Sequence, residues 1–118
     1  MKIVLADDNR DSADSLGMLL EALGHEVRIA YDGIEAVKAA EDLKPDFVLL
    51  DIGMPGMDGY ECARAIRPQA WAAKTVLVAL TGWGQEEDKR RAHEAGFDRH
   101  LTKPVDPTAL EKALGLTS

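Results

Sequence analysis

Five polar residues stand where apolar segments of this chain end. Asp7 and Asp8 follow the first apolar segment, Asp51 closes the third, and Thr81 and Lys103 follow the fourth and the fifth. Three carboxylates held close together repel one another and weaken a fold unless a cation lies between them. Mg²⁺ prefers oxygen ligands and is commonly held by one or two carboxylates. The three aspartates therefore predict a magnesium site.

Lys103 and Thr81 indicate what chemistry such a site would perform. A lysine that reaches Asp51 would pair with its carboxylate and later hold an anionic oxygen, while Thr81 would add a hydroxyl group. The set offers neither a histidine base beside a serine or cysteine nor a carboxylate placed as a proton donor, as acyl and glycosyl transfer require. Phosphoryl transfer depends mainly on positioning and charge neutralisation. Asp51 is therefore predicted to be the nucleophile that forms an aspartyl-phosphate.

The pair Asp7-Asp8 has a simpler interpretation as the N-cap of a helix, a position where aspartate is common. The matching positions of Asp51, Thr81 and Lys103 after other segments favour a shared site instead. The acidic sequence also argues against a phosphate-containing cofactor, because such a ligand needs hydrogen-bond donors in the loop after the first strand.

Apolar segments alternate with helical patterns five times, which predicts an α/β fold with helices on both faces of a parallel sheet. Strands are predicted at 3–6, 27–31, 47–50, 76–80 and 99–102, and the fourth helix at 85–95. Segments that are apolar throughout belong at the centre, whereas the second alternates and the fifth contains Arg99 and His100, so these two are edges. Right-handed crossovers with those edges allow the order 2-1-3-4-5, and we predict a flavodoxin-like (βα)5 three-layer sandwich with this order. In such sheets ligands bind at the carboxyl ends of the strands.

Composition excludes several other classes of protein. The 118 residues are predicted to form one domain, 1–118, and a net charge of −7 without a basic stripe argues against nucleic-acid binding. No apolar segment approaches the roughly 20 residues of a membrane helix, and no signal-peptide pattern is present. The single Cys62 has no partner for an internal disulfide, which predicts a cytoplasmic protein. Because no motif surrounds it, Cys62 is interpreted as a buried or half-buried helix thiol rather than as a nucleophile.

Four motifs together resemble the receiver domain of two-component response regulators, the CheY-like family. They are ADDN at 6–9, LLDIGMPGMDG at 49–59, ALTGWG at 79–84 and LTKPVD at 101–106, and the resemblance extends over nearly the whole chain. It implies that Asp51 takes a phosphoryl group from a histidine kinase or a histidine phosphotransfer domain of a phosphorelay. It also implies that Asp8, Asp51 and the carbonyl of Gly53 bind Mg²⁺ directly, with Asp7 acting through water.

The resemblance further implies a switch. Thr81 and Lys103 would contact the phosphoryl group, the Lys103–Pro104 bond would be cis, and Thr81 would move inward on phosphorylation. The family usually carries an aromatic residue three positions before the lysine, where this chain has His100. His100 is interpreted either as the residue that couples phosphorylation to the face of helix 4, strand 5 and helix 5, or as a half-exposed residue of an edge strand.

Three positions are expected to control access to the phosphoryl group. Gly82 has no side chain and leaves the pocket open. Gly53 lies two positions beyond the acceptor Asp51, and Trp83 lies two positions beyond Thr81. In the family, the residues at these two positions influence how fast the phosphoryl group is hydrolysed. Gly53 neither orients nor obstructs water, whereas Trp83 either shields the site or lies on the surface. The predicted helix 4 carries only Ala92 and Ala95 as apolar residues, so its displacement should cost little.

Two other functions stay open at this point. A phosphatase of the haloacid-dehalogenase type would use an Asp-x-Asp pair after one strand, but Asp51-Ile52-Gly53 lacks the second aspartate and the chain has no room for a cap domain. An unphosphorylated interaction module of receiver ancestry would typically have lost an acidic residue or the lysine. The segment 80–106 is most similar to receivers of hybrid histidine kinases. We expect the chain to be either a stand-alone regulator or a segment of such a kinase. A downstream protein partner is expected in both cases.

Overall fold

The computed structural model describes residues 1–54, 56–82, 86–103 and 105–115, with only the backbone described for 86–89. Strands and helices alternate along these residues. They are β1 (Lys2–Ala6), α1 (Arg10–Ala22), β2 (Glu26–Ala30), α2 (Gly33–Leu43), β3 (Phe47–Asp51), α3 (Gly59–Ile66), β4 (Val76–Thr81), α4 (Glu86–Ala95), β5 (Arg99–Thr102) and α5 (Pro107–Ala113). No helix in these described ranges has the length and apolar character needed to span a membrane.

The strands form one parallel sheet in the order β2-β1-β3-β4-β5. The predicted fold is thus confirmed. Every residue of β3 is buried, and β1 and β4 are buried at all but their first residue. The alternating β2 and the largely exposed β5 are the two edges. Apolar segments without polar interruptions indicated which strands are central, because only a strand covered on both faces can bury every side chain.

Helices cover both faces of the sheet, and the two faces differ in the size of their side chains. On one face α1 and α5 contribute large residues, such as Leu20 and Leu110, which pack with Leu5 of β1. On the other face α2, α3 and α4 contribute many alanines, of which Ala40 and Ala92 are examples. Helix α3 also buries the larger Tyr60 and Ile66 on this second face, whereas Ala92 and Ala95 are the buried residues of α4 over 90–95.

The helices begin at the carboxyl edge of the sheet, where side-chain caps fix their first turns. Backbone N–H groups three or two residues ahead donate to Asn9, Asp32, Asp58 and Asp106. An accepting side chain at this position satisfies a backbone donor that the helix leaves unpaired. Because Asn9 caps α1, Asp7 and Asp8 are not needed as caps, and the N-cap interpretation of that pair is wrong.

The sequence missed or misplaced a few boundaries. A short 3₁₀ helix at Ala70–Lys74 precedes β4 and was not predicted. Strand β2 ends at Ala30, so Tyr31, which the sequence placed in it, lies outside it. The predicted start of α4 at Gln85 falls outside the described residues. Such ends depend on local hydrogen bonds that a residue pattern does not reveal.

Candidate functional site

Two aspartates lie side by side at the carboxyl ends of the two central strands. The parallel register pairs Ala6 of β1 with Leu50 of β3, so the next residue of each strand, Asp7 and Asp51, reaches the same edge. Asp7 is 3% exposed and Asp51 is 8% exposed. Asp8, which directly follows Asp7, is exposed to solvent. The site therefore has two buried carboxylates and a third at its entrance.

Lys103 lies between the two buried carboxylates. Its Nζ donates to Asp51 Oδ2 and to Asp7 Oδ2, at 3.0 Å in each case. The backbone N–H of Lys103 also donates to the carbonyl oxygen of Thr81 at 2.7 Å, which ties the loop after β5 to the end of β4. The contact with Asp51 was predicted from the sequence, but the contact with Asp7 was not. Lys103 follows an edge strand, and only its length lets the amine reach past β4 to β1 and β3.

Each buried carboxylate also accepts a hydrogen bond from the backbone two residues further along the chain. Asp7 Oδ1 accepts a hydrogen bond from the N–H of Asn9 at 3.0 Å, and Asp51 Oδ1 accepts one from the N–H of Gly53 at 2.9 Å. These turns leave one oxygen of each aspartate bound to backbone and the other bound to Lys103. The irregular loop after β3 thus helps to orient Asp51.

The pKa values of the two buried carboxylates move in opposite directions. Burial raises the pKa of Asp7, and the N–H of Asn9 and the ammonium of Lys103 offset only part of this effect. Burial also acts to raise the pKa of Asp51. The hydrogen bonds from the N–H of Gly53 and from the ammonium of Lys103 outweigh burial, so the pKa of Asp51 is lowered. For Lys103, burial acts to lower the pKa, and the bonds to Asp51 and Asp7 prevail and raise it. At neutral pH the site therefore presents an ionised Asp51 beside a protonated lysine.

Oxygen atoms of Asp7, Asp8 and Asp51 lie within 4.8 Å of one another, which is close enough for all three to ligate one metal ion. Carboxylate oxygens suit a hard cation such as Mg²⁺, whereas zinc and copper sites usually include histidine or cysteine. The exposed position of Asp8 would let such an ion keep water molecules, as Mg²⁺ does. The donor set present at this edge therefore fits magnesium.

Thr81 and Gly82 border the carboxylates at the end of β4. The side chain of Thr81 is 1% exposed, and its hydroxyl donates to the carbonyl oxygen of Leu101 on β5 at 3.5 Å. Gly82 is exposed, and a β-carbon added there would meet no atom within 4 Å. Trp83 and Pro104, which the sequence associates with shielding and with a cis bond, lie outside the described residues.

His100 is exposed on β5, away from the carboxylates. Together with Ala92, His93 and Phe97 it lines a shallow cavity of about 160 Å³ between α4 and the edge strand. A larger cavity of about 480 Å³ lies on the other side of the sheet, beside Asp7 and Lys103, with Leu16 and Leu19 of α1 in its wall. The structure thus leaves both interpretations of His100 as predictions.

Gly59 is a residue of the site that the sequence did not single out. It is the first residue of α3, and a β-carbon at this position would lie 2.8 Å from the carbonyl oxygen of Asp51 and 2.7 Å from the Cα of Ile52. Only glycine allows the helix to rest this closely on the backbone of Asp51. The dipeptide Asp58-Gly59 indicated a helix start, but no pattern in the sequence shows which backbone the glycine contacts.

Comparison with known proteins gives consistent matches over nearly the whole chain. The family model described as response regulator receiver domain matches residues 3–115. Protein PilH of Pseudomonas aeruginosa is 35% identical over 113 residues, which make up 96% of this chain and 93% of PilH. The crystal structure of the Vibrio cholerae chemotaxis protein CheY4 matches with a TM-score of 0.92 and 32% identity, over 97% of this chain and 95% of that one.

A third match concerns the metal. The receiver domain of the sensor histidine kinase PA1611 from Pseudomonas aeruginosa has a magnesium ion coordinated in its active site cleft. Its structure matches with a TM-score of 0.87 and 33% identity, over 96% of this chain and 93% of that one.

Proposed function

Because the chain belongs to the family of response regulator receiver domains, we propose that it is switched by phosphorylation of Asp51. Receiver domains are parts of two-component signalling and act as switches rather than as enzymes that turn over a substrate. The observation that carries the proposal is the position of Lys103 Nζ, 3.0 Å from Asp51 Oδ2 and 3.0 Å from Asp7 Oδ2. A phosphoryl group on Asp51 would bring anionic oxygens next to this fixed cation.

In the proposed step, an oxygen of the ionised Asp51 carboxylate attacks the phosphorus of a phosphohistidine. The donor is a histidine kinase or a histidine phosphotransfer domain. An oxygen–phosphorus bond forms, the nitrogen–phosphorus bond breaks, and the electron pair of that bond returns to the imidazole, which takes a proton from solvent. Acetyl phosphate would react in the same way, with acetate as the leaving group. Water that attacks the aspartyl-phosphate would later restore Asp51.

We propose that Asp8, Asp51 and the carbonyl of Gly53 hold Mg²⁺ directly, and that Asp7 acts through water. The three carboxylate oxygens within 4.8 Å support this assignment. When bound, the ion would neutralise part of the negative charge on the carboxylates and on the phosphoryl oxygens. Lys103 would move its hydrogen bond from the Asp51 carboxylate to a phosphoryl oxygen, since a charge-assisted bond remains available to it there.

The proposed output lies on the face formed by α4, β5 and α5. Thr81 is the residue that joins the site to this face, because its buried hydroxyl already contacts the backbone of β5. We expect Thr81 to turn toward the phosphoryl oxygens and His100 to follow, which would change the surface offered to a downstream protein partner. The single cysteine, Cys62, is buried and free, which supports action in a reducing compartment such as the cytoplasm.

The test is the reaction of the purified chain with acetyl phosphate and Mg²⁺. We expect intact mass spectrometry to show a gain of one phosphoryl group in the wild type and none in Asp51→Asn. Chelation of Mg²⁺ should abolish the gain in the wild type. A wild-type chain that takes up no phosphoryl group, or an Asp51→Asn variant that takes up as much, would refute the switch. Sustained release of phosphate from aryl phosphate esters would instead favour a phosphatase.

A further inference from the structure

Helix α4 is attached to the rest of the fold by a small apolar surface. Over residues 90–95, where its side chains are described, the buried ones are Ala92 and Ala95, each 3% exposed. A methyl group buries little apolar area, so these two contacts restrain the helix weakly. Over residues 90–95, contacts of another kind therefore contribute to the position of α4.

Two arginines provide such contacts, and both join α4 to α3. The guanidinium carbon of Arg91, on α4, lies 4.6 Å from the ring centroid of Tyr60, on α3. At the far end of α4, Arg67 at the end of α3 donates from Nε and Nη2 to the carbonyl oxygen of Gly96, at 3.1 and 2.9 Å. Arg67 thus fixes the carboxyl end of α4, and Arg91 restrains the part of the helix nearer to the site.

Tyr60 is well placed to transmit a displacement. Its ring is 5% exposed and meets Phe97, just beyond α4, edge to face with a centroid distance of 6.4 Å. It directly follows Gly59, which rests on the backbone of Asp51 and Ile52. The contacts from Asp51 through Gly59 and Tyr60 to Arg91 are therefore continuous, and none of them involves Thr81 or β5.

We propose that the stacking of Arg91 on Tyr60 is a restraint that holds α4 in the resting position and couples it to Asp51 through α3. This inference rests on the proposed function, since it names a further residue that regulates the same switch. The contact occurs in the arrangement in which Lys103 pairs with the Asp51 carboxylate. Activation would have to break or remodel it in order to displace α4.

A coupling between two sites acts in both directions. If the Arg91–Tyr60 contact favours the resting position of α4, its loss favours occupation of the site at Asp51 by up to the same factor. A cation–aromatic contact at an exposed site is weak, so the expected gain in affinity for a phosphoryl analogue is about two- to fivefold.

The experiment compares Arg91→Met with Arg90→Met by titration with beryllofluoride in the presence of Mg²⁺. Arg90 is the neighbouring exposed arginine of α4, so its replacement makes the same change in charge without removing the stacking on Tyr60. We expect Arg91→Met to bind beryllofluoride about two- to fivefold more tightly than the wild type, with Arg90→Met unchanged. Arg91→Lys, which keeps the cation but stacks less well, should lie between wild type and Arg91→Met.

Amide hydrogen exchange of residues 90–95 provides a second measurement that needs no ligand. We expect faster exchange in Arg91→Met and in Tyr60→Leu, and no further increase when the two changes are combined. Equal beryllofluoride affinities and equal exchange in Arg91→Met and Arg90→Met would overturn the inference, as would fully additive effects in the double variant. If the wild type fails to bind beryllofluoride, the proposed function fails, and the exchange of α4 still decides whether Arg91 restrains the helix.

Discussion

Two carboxylates of similar burial share one lysine at this site, and yet they are not equivalent. Asp7 and Asp51 each accept one backbone N–H and one hydrogen bond from Lys103. The balance of burial against these bonds nevertheless raises the pKa of Asp7 and lowers that of Asp51. The environment thus favours ionisation of the residue proposed as the nucleophile, and the carboxylate is the form that can attack phosphorus.

The raised pKa of Asp7 leads to a pH-dependent prediction for Asp7→Asn in metal-free buffer. A carboxyl whose pKa is raised on folding costs stability at every pH where it is ionised, and costs nothing below its unfolded value of 3.8. Asp7→Asn should therefore raise the free energy of unfolding at pH 7, and this gain should shrink toward zero near pH 4. Urea denaturation between pH 4 and pH 8 measures it.

The exposed carboxyl of Glu41 offers a control for this prediction. Glu41→Gln should change the free energy of unfolding by less than about 0.5 kcal/mol at both ends of this pH range. A loss of stability in Asp7→Asn at pH 7, or a gain that is the same at both ends of the pH range, would contradict the assignment. The ionisation of Asp51 affects the free energy of unfolding in the opposite direction. Its lowered pKa contributes stability that is present above 3.8 and is lost as the pH falls through its native value.

At the scale of the elements, α3 is joined directly to the site. Its first residue, Gly59, packs on the backbone of the proposed phosphoacceptor, and Asp58 caps it by accepting the N–H of Glu61 at 2.9 Å. The other end holds the chain after α4 through Arg67. Any shift of the Asp51 backbone must therefore be accommodated by α3, which gives the switch a physical connection to α4 besides that through β5.

Gly59→Ala tests how tightly α3 rests on that backbone. The added β-carbon would lie 2.7 Å from Ile52 Cα and 2.8 Å from the Asp51 carbonyl oxygen, and neither backbone atom can move aside easily. We expect the free energy of unfolding to fall by about 2–3 kcal/mol in chemical denaturation. Gly82→Ala is the matched control, because its β-carbon would meet nothing within 4 Å, and it should stay within about 0.5 kcal/mol of the wild type. Similar losses in both variants would show that the close approach at Gly59 is not the cause.

At the scale of the whole molecule, repulsion among the carboxylates of the proposed site lowers the stability of the fold. The chain carries a net charge of −7, and three of its carboxylates meet at one edge of the sheet with a single lysine between two of them. A cation that binds this cluster only in the folded state must stabilise the entire domain by mass action. Metal binding at this cluster would therefore be linked to folding.

Thermal unfolding at increasing Mg²⁺ concentration should reveal this linkage. At a hundredfold excess over the dissociation constant, we expect Mg²⁺ to add about 2.7 kcal/mol to the free energy of unfolding, and excess chelator to remove it. Asp8→Asn should abolish most of the effect without destabilising the metal-free protein, because Asp8 is exposed. Glu41→Gln, outside the cluster, should keep the full effect. A melting temperature that does not respond to Mg²⁺ in the wild type would rule out a folded-state site.

The sequence by itself determined the sheet order and the edge at which Asp7, Asp8, Asp51, Thr81 and Lys103 meet. Both follow from local patterns, because uninterrupted apolar segments must be central strands and parallel strands end on one side. Only the tertiary structure decided that Lys103 also binds Asp7, 96 residues away, that Gly59 rests on Asp51, and that Arg91 stacks on Tyr60. These contacts join segments distant in sequence, and they depend on side-chain reach and helix placement to within about 1 Å, which no periodicity in the residues specifies.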